Sequence, residues 1–141
     1  MEKLRLDLEQ LNRALETLEQ SFRVAQEIEK IGNWEFVLAA EDSTIQRFEY
    51  TYETFWKFFK KYLEQVHYLK DINSPKKTFL ACVNAGVCTL NEGSIFIDMA
   101  DGRNETSHVY NIEASRVVLA DIPEYYSTMF AVVKRVNTLL D

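Results

Sequence analysis

Within the stretch DMADGRNETSHVYN, residues 98–111, Arg103, Asn104, His108 and Tyr110 fall inside eight positions, and His108 is one of only two histidines in the chain. These side chains have complementary chemistry. Histidine is the one side chain whose ordinary pKa lies near neutrality, so it can take a proton from a hydroxyl and later return one. Arginine stays charged and can hold a phosphate or stabilise charge that builds on it. Asparagine can orient either. An Arg/His pair without a cage of carboxylates suits a divalent metal poorly. It suits metal-free phosphoryl transfer within RNA, in which a 2′-hydroxyl attacks its own phosphate and leaves a cyclic phosphate. A structural reading of the same residues stays open. A histidine late in a helix can interact with the last carbonyls, and an asparagine there can cap.

If the stretch is helical, Asn104 and His108 lie roughly 40° apart on one face, while Arg103 lies about 140° from His108. Arg103 must then reach round with its long side chain or meet a histidine of another subunit. Gly102 directly precedes it and costs about 1 kcal/mol in a helix interior, which could loosen that turn.

The rest of the chain must position these residues, and its pattern is helical. Leu4, Leu8, Leu11, Leu15, Leu18, Phe22 and Ala25 predict a first helix over residues 2–30, ended by Gly32-Asn33. Trp34 to Ala40 is an apolar lead-in. Asp42 or Ser43 caps a second helix that runs to about Lys70, with Ile45, Phe48, Tyr52, Phe55, Phe59 and Tyr62 or Leu63 as its stripe. Trp56 and Phe58 widen that face towards the core or an interface. Ser74-Pro75 opens a short third helix that Gly86 stops. Asn91-Glu92 opens a fourth, which carries the Arg103–His108 stretch. Asn111 caps a fifth, in which Pro123 predicts a kink near Asp121. The expected fold is all-α: an antiparallel up-and-down helical bundle of four long helices plus a short one, in a single domain over residues 1–141.

Composition agrees. Hydrophobic residues make up 47% and aromatic residues 13%, while glycine (four) and proline (two) are scarce, which favours long elements over a many-stranded sheet. The charged start MEKLRLDLEQL does not read as a signal peptide, and no run is long and apolar enough for a membrane helix, so the chain reads as cytoplasmic. Cys82 and Cys88, in CVNAGVC, match neither a CxxC pair nor a zinc spacing and read as two reduced thiols. The net charge of −6 disfavours indiscriminate nucleic-acid binding. Residues 1–41 carry nine acidic and five basic side chains. Residues 55–80 instead hold six lysines (Lys57, Lys60, Lys61, Lys70, Lys76, Lys77) against Glu64 and Asp71. That segment is a solvated face or a guide for a polyanion.

RNETSHVY has the R-x4-H-x-Y form of the signature of HEPN domains. The stretch IQRFEYTYETFWK resembles the opening of that group's bacterial nucleotidyltransferase substrate-binding branch. The order also fits: that helix, a short SP-capped helix, then an acidic DM segment leading into RN-x3-H. The resemblance covers residues 42–126, with residues 1–30 consistent as a first helix. It implies a homodimeric helical bundle that acts with a separately encoded minimal nucleotidyltransferase as toxin and antitoxin. The helical chain would be an endoribonuclease that needs no metal and no cofactor. By that resemblance His108 is general base or acid, Arg103 binds the phosphate, Asn104 positions them, and Tyr110 receives AMP from the partner. An older reading of the family makes the helical chain a non-catalytic subunit that binds a nucleotide or other substrate for the nucleotidyltransferase. A plain interaction bundle with a decayed motif is the third possibility.

Glu49 and Glu53 fall where the family motif is acidic. They could hold Arg103 or His108 from behind, although an ion pair with an arginine such as Arg47 is the simpler expectation. His67, Tyr125 and Tyr126 read as structural.

Overall fold

The computed structural model describes residues 2–108 and 112–140, and the side chains of all of these except Ser107 and His108. It forms five helices: α1 (Glu2–Ile31), α2 (Trp34–Val66), α3 (Pro75–Asn84), α4 (Leu90–His108) and α5 (Ile112–Leu140). This is the expected all-α antiparallel bundle of four long helices and a short one.

Each boundary has a local cause. Gly32, at φ +82°, turns the chain out of α1, and its N–H meets the Ile28 carbonyl at 3.2 Å. The Asn33 side chain then accepts from the Phe36 N–H and caps α2. Two residues therefore join α1 to α2. The second helix begins at Trp34, well before the expected cap at Asp42 or Ser43, which lie inside it. It also ends at Val66, short of Lys70. The N–H of Leu69 reaches back to the Leu63 carbonyl at 3.2 Å across Tyr68, which is left-handed at φ +58°. A tyrosine takes the place that glycine usually fills, so no glycine marks this end in the sequence.

Ser74 and Pro75 start α3 as expected, with Ser74 Oγ accepting from the Lys77 N–H. Gly86, at φ +76°, ends it, and Val87 N–H meets the Cys82 carbonyl at 2.9 Å. Helix α4 starts at Leu90, one residue before the expected Asn91, because Thr89 forms a reciprocal cap. Thr89 Oγ1 accepts from Glu92 N–H at 3.1 Å, and Glu92 Oε1 accepts from Thr89 N–H at 2.9 Å. The expected cap at Asn111 lies outside the described residues. Helix α5 runs unbroken through Pro123.

Helix α2 is the shared wall of the core. Its Phe48, Phe55, Phe59 and Leu63 are fully buried, and so are Leu11, Leu15 and Leu18 of α1 and Ile122 and Met129 of α5. The ring of Phe55 lies 4.9 Å from Phe59 and 4.9 Å from Phe96 of α4, and Phe79 of α3 closes the cluster 5.4 Å from Phe96. Each such side chain contributes about 1.5–3 kcal/mol by leaving water. Phe58 is buried and Trp56 packs against the core, so both widen the inner face. Tyr125 is buried against Phe48, and Tyr126 packs on Phe22 and Phe130. Arg5 donates to the Leu140 carbonyl at 2.6 Å and ties the start of α1 to the end of α5. Cys82 and Cys88 are free and buried. No described helix is long and apolar enough to cross a membrane.

Two glycines of α4 sit against neighbours. A Cβ on Gly93 would overlap a Val83 methyl of α3, whereas one on Gly102 would meet Val118 Cγ2 of α5 at 3.4 Å, an ordinary contact. Gly93→Ala is therefore expected to destabilise the fold by about 1–3 kcal/mol, by overpacking. Gly102→Ala should instead gain up to about 1 kcal/mol of helix propensity. Urea midpoints that move in opposite directions for the two variants would bear this out. A large loss for Gly102→Ala would show that α4 and α5 need the glycine.

Candidate functional site

The second half of α4 lies between α2 and α5. Gly102 turns its bare face to Val118 and the Tyr125 hydroxyl, and Tyr125 Oη donates to Asp98 Oδ2 at 2.7 Å. Arg103, about 100° further round the helix, turns instead to α2. The glycine thus stands where α4 meets α5, rather than in a loosened turn.

Three side chains of α2, Glu49, Tyr52 and Glu53, face this part of α4, and Trp56 backs them. Glu49, Tyr52, Glu53 and Trp56 are spaced three and four apart and share one helix face. Arg103 Nη2 lies 3.8 Å from Glu53 Oε1. Glu53 also stands 3.4 Å from Lys57 Nζ and accepts from the Trp56 indole N–H at 3.2 Å. Glu49 faces the Thr106 hydroxyl at 3.5 Å, and that hydroxyl also reaches the Arg103 carbonyl at 3.0 Å. The simpler expectation of a pairing with Arg47 is not met: Glu53 takes Arg103 and Lys57, and Arg47 enters no ion pair among the described residues.

Arg103 is held loosely for so sheltered a cation. Its side chain is 22% exposed, yet its contact with Glu53 is well beyond the 2.7–2.9 Å of a charge-assisted hydrogen bond. Its Nε is buried and has no hydrogen-bond partner among the described residues. A buried donor of this kind normally has one. Among the described residues, the guanidinium therefore keeps a donor without a partner.

Tyr52 lies buried beneath this cluster. Burial pushes its phenol up to about 12; the Glu53 and Asp101 carboxylates push the same way, and Arg103 opposes them. Asp101 itself pairs with Lys76 of α3 at 2.6 Å.

Asn104 is exposed on the next helical position. His108 is the last residue of α4, about 7.5 Å along the axis from Arg103 and roughly 140° round it. The His108 side chain and Tyr110 lie outside the described residues. So the structure brings Arg103 together with Glu53, sets Glu49 beside Thr106, and places His108 on the same helix end. Trp56, Thr106 and Tyr52 were not anticipated as part of the site. Trp56, three residues after Glu53 in one stripe, was the available signal.

The lysine segment has less free charge than its composition suggests. Lys57, Lys60, Lys61 and Lys76 each face a carboxylate, leaving Lys70 and Lys77 without an ion pair among the described residues. His67 caps the end of α2, with its ring 5.6 Å from Tyr62. Among the described residues, no three His, Cys, Asp or Glu side chains are grouped to hold a metal ion.

The same helical bundle is seen in several solved structures. A Thermus thermophilus protein is 29% identical, with a TM-score of 0.74 over 89% of this chain and 97% of that one. A Haemophilus influenzae protein, whose structure reveals the fold of a substrate-binding domain of a nucleotidyltransferase, has a TM-score of 0.80 at 24% identity, over 92% and 98%. A chain of the complex of the tri-AMPylated Shewanella oneidensis HEPN toxin with its MNT antitoxin has a TM-score of 0.70 at 13% identity, over 91% and 96%. The last two likenesses are of fold. No curated protein matches in sequence. The chain belongs to the family described as nucleotidyltransferase substrate binding protein like, which matches residues 6–138.

The buried tyrosine makes a pH prediction. A phenol held above its ordinary value of 10 in the folded state binds its proton more tightly there than in the unfolded chain. Its stabilising contribution is complete below pH 10 and is lost as pH rises towards about 12, at about 1.4 kcal/mol per pH unit for one proton. Tyr52→Phe is expected to flatten the alkaline fall in unfolding free energy across that window. An unchanged slope in denaturant melts at pH 9.5–11.5 would remove Tyr52 as its source.

Proposed function

We propose that the chain is a metal-independent endoribonuclease of the HEPN type, acting with and neutralised by a separately encoded minimal nucleotidyltransferase. The observation that carries this reading is Arg103: a sheltered guanidinium, weakly held by Glu53, whose buried Nε has no partner among the described residues, on the helix that ends in His108. A site that only binds an anion needs the cation. A proton-transfer group on the same helix end adds what cleavage needs.

The step balances without a metal. His108 takes the proton of a ribose 2′-hydroxyl, and the oxygen attacks the adjacent phosphorus. The bond to the 5′-oxygen of the next nucleotide breaks, and that oxygen takes up a proton from water. Arg103 moves from Glu53 onto a non-bridging oxygen and stabilises the charge that builds there. Asn104 orients the pair, and Glu53 and Glu49 position α4 from α2. The active unit is a homodimer in which Arg103 and His108 of two copies meet. Silencing follows when the nucleotidyltransferase transfers AMP to Tyr110. The phenolic oxygen bonds to the α-phosphorus of ATP, diphosphate leaves, and the phenolic proton goes to water.

The family match over residues 6–138 favours a second reading, in which the chain binds a substrate for a nucleotidyltransferase and has no catalysis of its own. Arg103 would then hold an anionic group of that substrate.

RNA incubated with the purified chain in excess EDTA separates the two. Wild type is expected to cleave and leave 2′,3′-cyclic phosphate ends, and His108→Ala and Arg103→Ala to lose about 100-fold or more in rate. Binding of nucleotide that depends on Arg103, without cleavage of any RNA pool, would establish the second reading.

A further inference from the structure

The start of α5 and the turn between α1 and α2 form one end of the bundle, and its apolar side chains are not covered. Ile31, Trp34, Phe36, Ile112 and Val117 are each between 48% and 79% exposed. The two parts are joined. The Arg116 guanidinium of α5 stacks 5.0 Å above the Trp34 ring and lies 3.6 Å from Glu41 of α2. Scattered apolar side chains need no explanation, but a group of large ones at one end of a small bundle marks an interaction surface. Tryptophan in particular anchors interfaces.

The rim says what kind of surface fits. Between residues 24 and 42 the chain carries Glu27, Glu29, Glu35, Glu41 and Asp42 against a single lysine. That lysine, Lys30, pairs with Glu27, and Arg116 pairs with Glu41. Glu29, Glu35 and Asp42 enter no ion pair among the described residues. Two copies of this chain meeting end to end would bring like charges together. A partner whose apolar face is edged with lysine and arginine would meet opposite ones.

The position says which partner. Ile112 follows Tyr110 by two residues, so an enzyme that modifies Tyr110 must lie against the start of α5. We infer that this end, centred on Trp34 and Val117, is the docking surface for the AMP-donating nucleotidyltransferase, whose contact face is apolar with a basic rim. The inference rests on the partner named under the proposed function.

The test is calorimetric titration of the intact chain with a purified minimal nucleotidyltransferase from the same organism. Val117→Glu and Trp34→Ala are compared with Leu139→Glu. Leu139 is equally exposed but lies 22 residues further along α5, about 33 Å away. All three positions are exposed, and thermal melts by circular dichroism check that the variants fold. Val117→Glu and Trp34→Ala are expected to weaken binding by about tenfold or more, and Leu139→Glu to leave it unchanged. Glu35→Lys should weaken it further at low salt than at high salt. Wild-type affinity in Val117→Glu and Trp34→Ala would overturn the docking surface and leave the partner standing, as would an equal loss in Leu139→Glu. No binding by wild type would overturn both.

Discussion

Every helix of the bundle leans on the aromatic face of α2. Phe48, Phe55, Phe59 and Leu63 meet α1 on one side and Phe79, Phe96 and Tyr125 of α3, α4 and α5 on the other. Once that face is buried, the rotation of α2 about its axis is fixed, because turning it would expose several fully buried rings at about 1.5–3 kcal/mol each. The same rotation decides which polar residues stand at the edge of the core. Glu49 and Glu53 fall there, within reach of α4. Arg103 therefore finds a carboxylate because phenylalanines within two turns of Glu53 on the same helix are packed.

That dependence explains how much of the molecule was legible in its sequence. The stripes of α1 and α2, the Ser74-Pro75 start and the Gly32 and Gly86 stops are local signals, and each produced an element where expected. The early start of α2 was hidden because Trp34 to Ala40 is almost uniformly apolar and shows no period, so the cap at Asn33 had nothing to announce. The end of α2 was hidden because Tyr68 takes a left-handed conformation, closed by the Leu69 N–H on the Leu63 carbonyl, which composition does not reveal. Thr89 was missed although Glu92, three residues on, completes its box.

The candidate site divides along the same line. Arg103, Asn104, His108 and Tyr110 could be singled out from residue types and spacing alone. The partner of Glu53 could not, because it depends on how α4 is rotated and shifted against α2. Sequence proximity pointed to Arg47; packing selected Arg103. Likewise Gly102 reads as a weak point of a helix until Val118 is seen across from it.

Glu53 has a consequence for how the site changes state. It is shared by Arg103, Lys57 and the Trp56 indole. If an anion draws Arg103 away, as the proposed cleavage requires, the carboxylate still has an ammonium and an N–H beside it. Departure of the guanidinium would then strand no naked charge. On that proposal Glu53 is a holding berth for the cation rather than a lock, and the fluorescence of the indole that shares it would report whether the berth is filled.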